Sequence, residues 1–269
     1  MVGKIYDVYR RANDTNYLEI AKMVASNFSQ YREALEKHAV ARTCYFVAQE
    51  SHNGLELNNK DKGREAPKQE EKNVAKVINS LWCRDTHPYF GRILDFEVPL
   101  TLPRCEVRKD ISRGPEDCPY KENAYKPRES PYPRGKIDLI SVKDDALIIL
   151  ELKRLKSSET YLRCLLEAYT YVKTLKRPSN FIEEAKVKFG LPDDVSRLMI
   201  CPLVFQSEKN RPFREFNNKD EAVLQVENCI KSDELLGERG IGFYAFNEEE
   251  QVKISDRYDE MLNAERTCH

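Results

Sequence analysis

Apolar positions recur at helical spacing early in the chain and alternate with polar ones further on. Residues 15–52 have apolar side chains at intervals of three and four, which predicts helices. Residues 53–69 are polar and interrupted by Gly and Pro, which indicates a linker or exposed loop. Residues 70–82 return to helical spacing and predict an amphipathic helix. Residues 93–102 alternate between apolar and other side chains and predict a strand.

A hairpin followed by a helix is predicted in the middle of the chain. Two short apolar runs, 136–142 and 146–152, are separated by a turn of hairpin length. Apolar positions at helical spacing then predict a helix over 157–175, with Ser157 or Ser158 as its N-cap.

The remaining segments complete an α/β pattern. Residues 198–205 and 241–246 predict strands, and 217–236 predicts a helix between them. The tail from residue 248 is polar, with helix as one interpretation. Residues 103–134 contain six prolines and little periodicity, which favours a functional or mobile segment. The order of elements predicts an α/β fold with a mixed sheet.

Composition excludes several classes of protein. Lys and Arg total 44 against 45 Asp and Glu, so a strongly basic, histone-like nucleic-acid binder is excluded and any basic patch must be local. We expect no membrane partner and no export signal, since no apolar run has the required length. The eight cysteines show no C-x-x-C spacing, which favours reduced thiols in a cytoplasmic protein over a zinc or iron–sulfur site.

Charged side chains interrupt the two hairpin strands. Glu151 and Lys153 end the second strand and point to one face, because strand side chains alternate. Asp138 interrupts the first strand, so the two carboxylates should converge. Such oxygens suit Mg²⁺ or Mn²⁺, which would activate a water towards a phosphodiester, while Lys153 stabilises the developing charge or orients that water. The alternative is an ordinary salt bridge on a solvated edge.

Asp138, Glu151 and Lys153, with the surrounding helix–strand order, resemble the PD-(D/E)xK nuclease superfamily of restriction enzymes, Holliday-junction resolvases and RecB-type exonucleases. Ile137 replaces the proline of the family name, which leaves the chemistry intact. The resemblance implies a three-layer restriction-endonuclease-like αβββαβ core with a central mixed sheet. It also implies dependence on Mg²⁺ or Mn²⁺, phosphodiester hydrolysis with DNA as the expected substrate, and the backbone carbonyl of Leu152 as a further metal ligand.

The resemblance divides the chain into three parts. Residues 66–250 form the nuclease-like domain, and 251–269 form a polar C-terminal tail. Residues 1–60 form a helical N-terminal extension with no counterpart in the superfamily, interpreted as a packing appendage or as the surface of a homodimer.

The superfamily implies two further site positions. Many members have a glutamate on the first core helix facing the metal; we favour Glu70 narrowly over Glu71, the alternative being a favourable charge at a helix N-terminus. The RecB-like branch has a Gln-x-x-x-Tyr motif on the helix after the lysine strand. Glu167 and Tyr171 match it with Glu in place of Gln, and ordinary helix-surface residues are the alternative.

Local basic residues fit a polyanionic substrate. Arg154 and Lys156 follow the lysine strand and are candidate substrate-binding residues. The proline-rich segment contains further cations with tyrosines between them, although a disordered or partner-binding segment is the favoured interpretation there.

Three functional hypotheses follow. The first is a metal-dependent nuclease acting on nucleic acid, with Asp138, Glu151, Lys153 and Glu70 as catalytic residues. The second is a catalytically inactive nuclease fold that binds nucleic acid or a protein partner. The third is a scaffolding protein built around the N-terminal helices.

Overall fold

A computed structural model describes residues 12, 16–37, 67–100, 136–175 and 177–267. These residues form eight helices and five strands. The helices are α1 (Tyr17–Ser26), α2 (Phe28–Lys37), α3 (Pro67–Trp82), α4 (Tyr161–Thr174), α5 (Pro178–Phe189), α6 (Arg211–Asn217), α7 (Glu221–Lys231) and α8 (Glu248–Thr267). The strands are β1 (Arg92–Pro99), β2 (Lys136–Lys143), β3 (Ala146–Leu152), β4 (Arg197–Phe205) and β5 (Tyr244–Phe246). The proline-rich segment 103–134 lies outside the described residues.

The five strands form one open, mixed sheet in the order β1-β2-β3-β4-β5. The first three strands are antiparallel neighbours, whereas β4 runs parallel to β3 and β5 runs parallel to β4. The β2–β3 hairpin turns at Asp144, which has a φ of 52°. The predicted α/β class and mixed sheet are confirmed.

Helices cover both faces of the sheet. Strand β3 is therefore buried along its whole length. Leu147 and Ile149 contribute to one hydrophobic core, which also contains residues of α1, α2, α4, α5 and α7. Ile148 and Leu150 contribute to the opposite core, with residues of α3 and α8. The strand therefore appears in the sequence as a continuous apolar run without polar alternation.

The N-terminal helices belong to the first of these cores. Ile20 and Val24 of α1 and Leu35 of α2 are buried in it. The hydroxyls of Tyr31 and Thr170 lie 3.2 Å apart and join α2 to α4. The described part of the 1–60 extension is thus packed into the main domain.

The C-terminal segment is also part of the domain. Helix α8 buries Ile254 and Met261 against the core that contains α3. The helical interpretation of the tail from residue 248 is confirmed, whereas the division of the chain at residue 251 stays a prediction. The two apolar positions lie seven residues apart, which places them on one face of the helix.

Several predicted boundaries are wrong. Helix α4 begins after Thr160, whose Oγ1 accepts a hydrogen bond from the Arg163 amide at 3.0 Å, so neither Ser157 nor Ser158 is the cap. The helix predicted over 217–236 is shorter than expected: only α7, Glu221–Lys231, falls within that segment, and α6, Arg211–Asn217, ends where the segment begins. Helix α5 was not predicted at all.

None of the described helices combines the length and the hydropathy needed to cross a bilayer.

Candidate metal centre

Three carboxylates from three different elements meet at the C-terminal end of β3. Glu71 comes from α3, Asp138 from β2 and Glu151 from β3, and one oxygen of each lies within 4.8 Å of the others. The β2–β3 register brings two of them together: Leu139 pairs with Leu150, so the next positions outward are Asp138 and Glu151. The hairpin register and the packing of α3 on β1 and β2 therefore build the cluster.

The oxygen atoms of this cluster fit a hard cation. Glu151 is only 2% exposed, and its Oε2 is buried without a hydrogen-bond partner among the described residues. Oδ2 of Asp138 accepts a hydrogen bond from the backbone N–H of Leu152 at 2.9 Å, which fixes that carboxylate. An unpaired buried carboxylate oxygen is costly, and a divalent cation would satisfy it. Carboxylate oxygens are the ligands that Mg²⁺ and Mn²⁺ prefer.

A buried lysine lies in the same cluster. Lys153 is 5% exposed, and its Nζ donates a short hydrogen bond to Oε1 of Glu151. The same Nζ lies 3.0 Å from Glu159, 3.3 Å from Glu167 and 3.8 Å from Glu71. One ammonium group is therefore shared among four carboxylates and leaves the pocket short of positive charge.

The pKa values of the three clustered carboxyl groups are raised in this pocket. Burial, and then the charge of Glu71, holds the pKa of Asp138 well above its usual value. Burial, and then Asp138, does the same for the pKa of Glu151. Burial raises the pKa of Glu71 to about 6, although Lys153 opposes the shift. Burial alone would lower the pKa of Lys153, but the surrounding carboxylates outweigh it and the pKa lies above the usual value.

Burial is the largest cause of these raised pKa values, and Coulomb repulsion from neighbouring carboxylates adds to it. Two carboxylates at 4.8 Å repel each other by about 3 kcal/mol at an effective dielectric constant of about 20. Three such pairs would oppose full ionisation of Glu71, Asp138 and Glu151 in the absence of a cation. A bound divalent ion would displace the protons, since metal ligands must be deprotonated.

A second layer of charged groups comes from α4 and its N-terminus. The Tyr171 hydroxyl donates to Oε1 of Glu167 at 3.2 Å. Burial would raise the pKa of Glu167, but Lys153 and then Arg163 bring it below its usual value. Arg163 also lies 3.0 Å from Glu159. The helix-surface alternative for Glu167 and Tyr171 is wrong, because the Glu167 side chain is 13% exposed and Tyr171 is buried.

The structure brings most of the sequence-predicted residues together. Asp138, Glu151 and Lys153 share one pocket, so the solvated-edge alternative is wrong for them. Of the two helix glutamates left open, the structure places Glu71 in the cluster, whereas the Glu70 side chain lies outside the described part of the chain. Glu70 as the catalytic glutamate stays a prediction, and Glu71 is the helix glutamate that the described residues place beside Asp138 and Glu151.

Three further predicted contacts have different outcomes. The Leu152 amide donates a hydrogen bond to Asp138. The Leu152 carbonyl as a metal ligand stays a prediction. Arg154 lies close enough to Glu71 to lower the pKa of that carboxyl. Lys156 is exposed on the loop between β3 and α4. Contact of Arg154 or Lys156 with a substrate stays a prediction.

Sequence reasoning missed Glu159 and Arg163. Their spacing contained a signal, because Arg163 lies four residues after Glu159 and four before Glu167. Side chains four apart share one face of a helix, so an ion-paired row leading to Glu167 could have been predicted.

Comparisons with known protein families, with curated proteins and with solved structures return no match.

Proposed function

We propose that this chain is a nuclease of the PD-(D/E)xK type that hydrolyses phosphodiester bonds, with DNA as its substrate and Mg²⁺ or Mn²⁺ as its cofactor. The observation that supports this most is the convergence of Glu71, Asp138 and Glu151 within 4.8 Å. A buried lysine in the same pocket adds to it. Antiparallel β1–β3, parallel β4 and helices on both faces are compatible with the restriction-endonuclease-like arrangement.

The three converging carboxylates are the groups that would hold the ion. When bound, a divalent cation supplies polarisation of the phosphodiester and a lowered pKa for a water molecule. The oxygen of Glu151 without a partner gives this ion a specific place in the protein. Asp138 presents its carboxylate in a fixed direction, because the Leu152 amide holds Oδ2.

Lys153 supplies positive charge beside the reacting phosphate. Its ammonium is buried and anchored to Glu151, so it cannot swing away into solvent. A preorganised cation in a pocket of low dielectric constant stabilises developing negative charge without further rearrangement. Glu167, held by Tyr171, positions this ammonium from the α4 side.

Cleavage assays test the proposal. The full chain is incubated with plasmid DNA, linear DNA and RNA in Mg²⁺, in Mn²⁺ and in EDTA. We expect cleavage in either metal and none in EDTA. Glu151→Gln should lower the cleavage rate by about 100-fold or more, because it removes a charged ligand.

Two matched variants control for folding and for general charge effects. Glu227 is a buried glutamate that accepts a hydrogen bond from Tyr161 away from the cluster, and Glu227→Gln should leave cleavage unchanged. Asp145→Asn removes a carboxylate at the opposite end of the β2–β3 hairpin from Asp138 and should do the same. If Glu151→Gln cleaves as fast as the parent chain, the proposal is refuted. Binding of nucleic acid without cleavage in any metal would point to an inactive binding module instead.

A further inference from the structure

A tight turn borders the carboxylate cluster. It comprises Arg154–Ser157 and is closed by a hydrogen bond of 3.1 Å from the Ser157 amide to the Arg154 carbonyl. Leu155 and Lys156 occupy its two central positions. The turn starts immediately after Lys153, and its first residue, Arg154, is near enough to Glu71 to lower the pKa of that carboxyl, so the turn lies next to the cluster.

Buried groups hold this turn in place. Asn210 has no exposed surface, and its Nδ2 donates to the carbonyls of Arg154 at 3.0 Å and Leu155 at 3.3 Å. The Arg211 amide donates to the Ser157 carbonyl at 3.0 Å. The backbone of the turn is thus hydrogen-bonded to the loop that leads into α6, which fixes where the tip stands on the surface.

Leu155 is an unusual residue for the tip of such a turn. Central turn positions favour Pro, Gly, Asn, Asp and Ser, for reasons of backbone geometry and local hydrogen bonding. Leu155 is 39% exposed and belongs to neither hydrophobic core. An apolar side chain is therefore held towards solvent between two basic residues, Arg154 and Lys156, at the edge of the site.

We infer that Leu155 is a wedge that enters the base stack of a DNA duplex and unstacks one step beside the bond to be cut. Arg154 and Lys156 contact the flanking phosphates. Apolar side chains used in this way separate neighbouring bases, and the protein gains contacts with the distorted duplex. Single-strand binders instead stack bases on aromatic side chains, and none of the four turn residues is aromatic. The inference rests on the proposed nuclease function and specifies a duplex as the substrate.

Fluorescence of 2-aminopurine in a DNA duplex tests the wedge without requiring cleavage. The probe is placed in turn at several positions, and the full chain is added in Ca²⁺. We expect the parent chain to raise the fluorescence at one position, because unstacking relieves quenching. Leu155→Ala should abolish the rise and slow duplex cleavage in Mg²⁺ by about tenfold, as expected for lost leucine burial. Leu155→Met, which keeps an apolar side chain of similar volume, should preserve both signals.

Leu224→Ala is the matched control. Leu224 is 41% exposed on α7, which contributes no residue to the carboxylate cluster, so its truncation should change neither signal. If the parent chain binds the duplex without a rise, or if Leu155→Ala gives the same rise, the wedge is overturned while the nuclease proposal stands. A Leu155→Ala effect on self-association alone, measured by sedimentation, would make this residue a contact between copies. A parent chain that neither binds nor cuts any nucleic acid overturns the nuclease proposal itself.

Discussion

Replacing Lys153 by alanine should strongly destabilise the metal-free protein. Lys153 is 5% exposed, and its ammonium lies within 4.0 Å of four carboxylates. Removing one partner from a buried ion pair typically costs about 3–5 kcal/mol, because the remaining charge is left uncompensated. For a chain of this length, about 1 kcal/mol corresponds to roughly 2–4 °C in melting temperature. We therefore expect the melting temperature in EDTA to fall by roughly 6–20 °C.

The assay is thermal unfolding of the parent chain and the variant, each in EDTA and in Mn²⁺. A cation that binds only the folded state stabilises it in proportion to its affinity. Without Lys153 the carboxylates attract a cation more strongly, so Mn²⁺ should raise the melting temperature of Lys153→Ala by more than it raises that of the parent.

Lys173→Ala is the matched control for losing a buried ammonium. Lys173 is 8% exposed and lies 2.7 Å from Glu36 and 3.2 Å from Asp233, away from the carboxylate cluster. Its loss should also destabilise the protein, but Mn²⁺ should then raise the melting temperature only as much as in the parent. The reasoning is refuted if Lys153→Ala has the same melting temperature as the parent in EDTA. It is also refuted if Mn²⁺ raises the melting temperatures of Lys153→Ala and Lys173→Ala equally.

Three further outcomes are expected. Because the pKa of Glu71 is raised to about 6, Mn²⁺ affinity should increase as pH rises through that value, and calorimetry showing a pH-independent affinity would contradict this. Burial lowers the pKa of His87, whose Nδ1 accepts from the Tyr89 amide, so the unfolded chain takes up a proton first as pH falls. In urea titrations, the difference in unfolding free energy between the parent and His87→Gln should therefore be largest above the usual pKa of 6.5 and shrink below it. A difference that does not change with pH would refute the lowered pKa of His87. Thr160→Ala should lower the free energy of unfolding by about 1–2 kcal/mol in the same titrations, because the Thr160 hydroxyl caps α4. An unchanged free energy of unfolding would count against that capping role.

The centre of the site could be predicted from the sequence because its signal is local. Asp138, Glu151 and Lys153 interrupt two apolar strands joined by a short turn, and antiparallel pairing places them together. Glu71 required the packing of α3 on the sheet, which periodicity does not specify to one residue. A shift of one residue on a helix turns the side chain by about 100°, so neighbouring glutamates could not be separated.

Other features depended on tertiary contacts that sequence patterns do not contain. The sequence pattern favoured Ser157 as a cap of α4, but the Ser157 amide closes the turn with Arg154. Thr160 is the N-cap of α4. Helix α8 has a polar composition, and only its packing on α3 shows that Ile254 and Met261 are core residues. Helix α5 buries Phe181, Ile182 and Ala185 but leaves its apolar Val187 exposed, so its apolar positions do not form one clear face in the sequence.

A crystal structure of the full chain with Mn²⁺, with anomalous scattering recorded at the manganese edge, tests the central claim most directly. We predict one strong anomalous peak bonded to carboxylate oxygens of Glu71, Asp138 and Glu151, with the partnerless Glu151 oxygen among its ligands. An ordered pocket without a peak, or a peak bonded to other residues only, would contradict the assignment of these carboxylates as a metal centre.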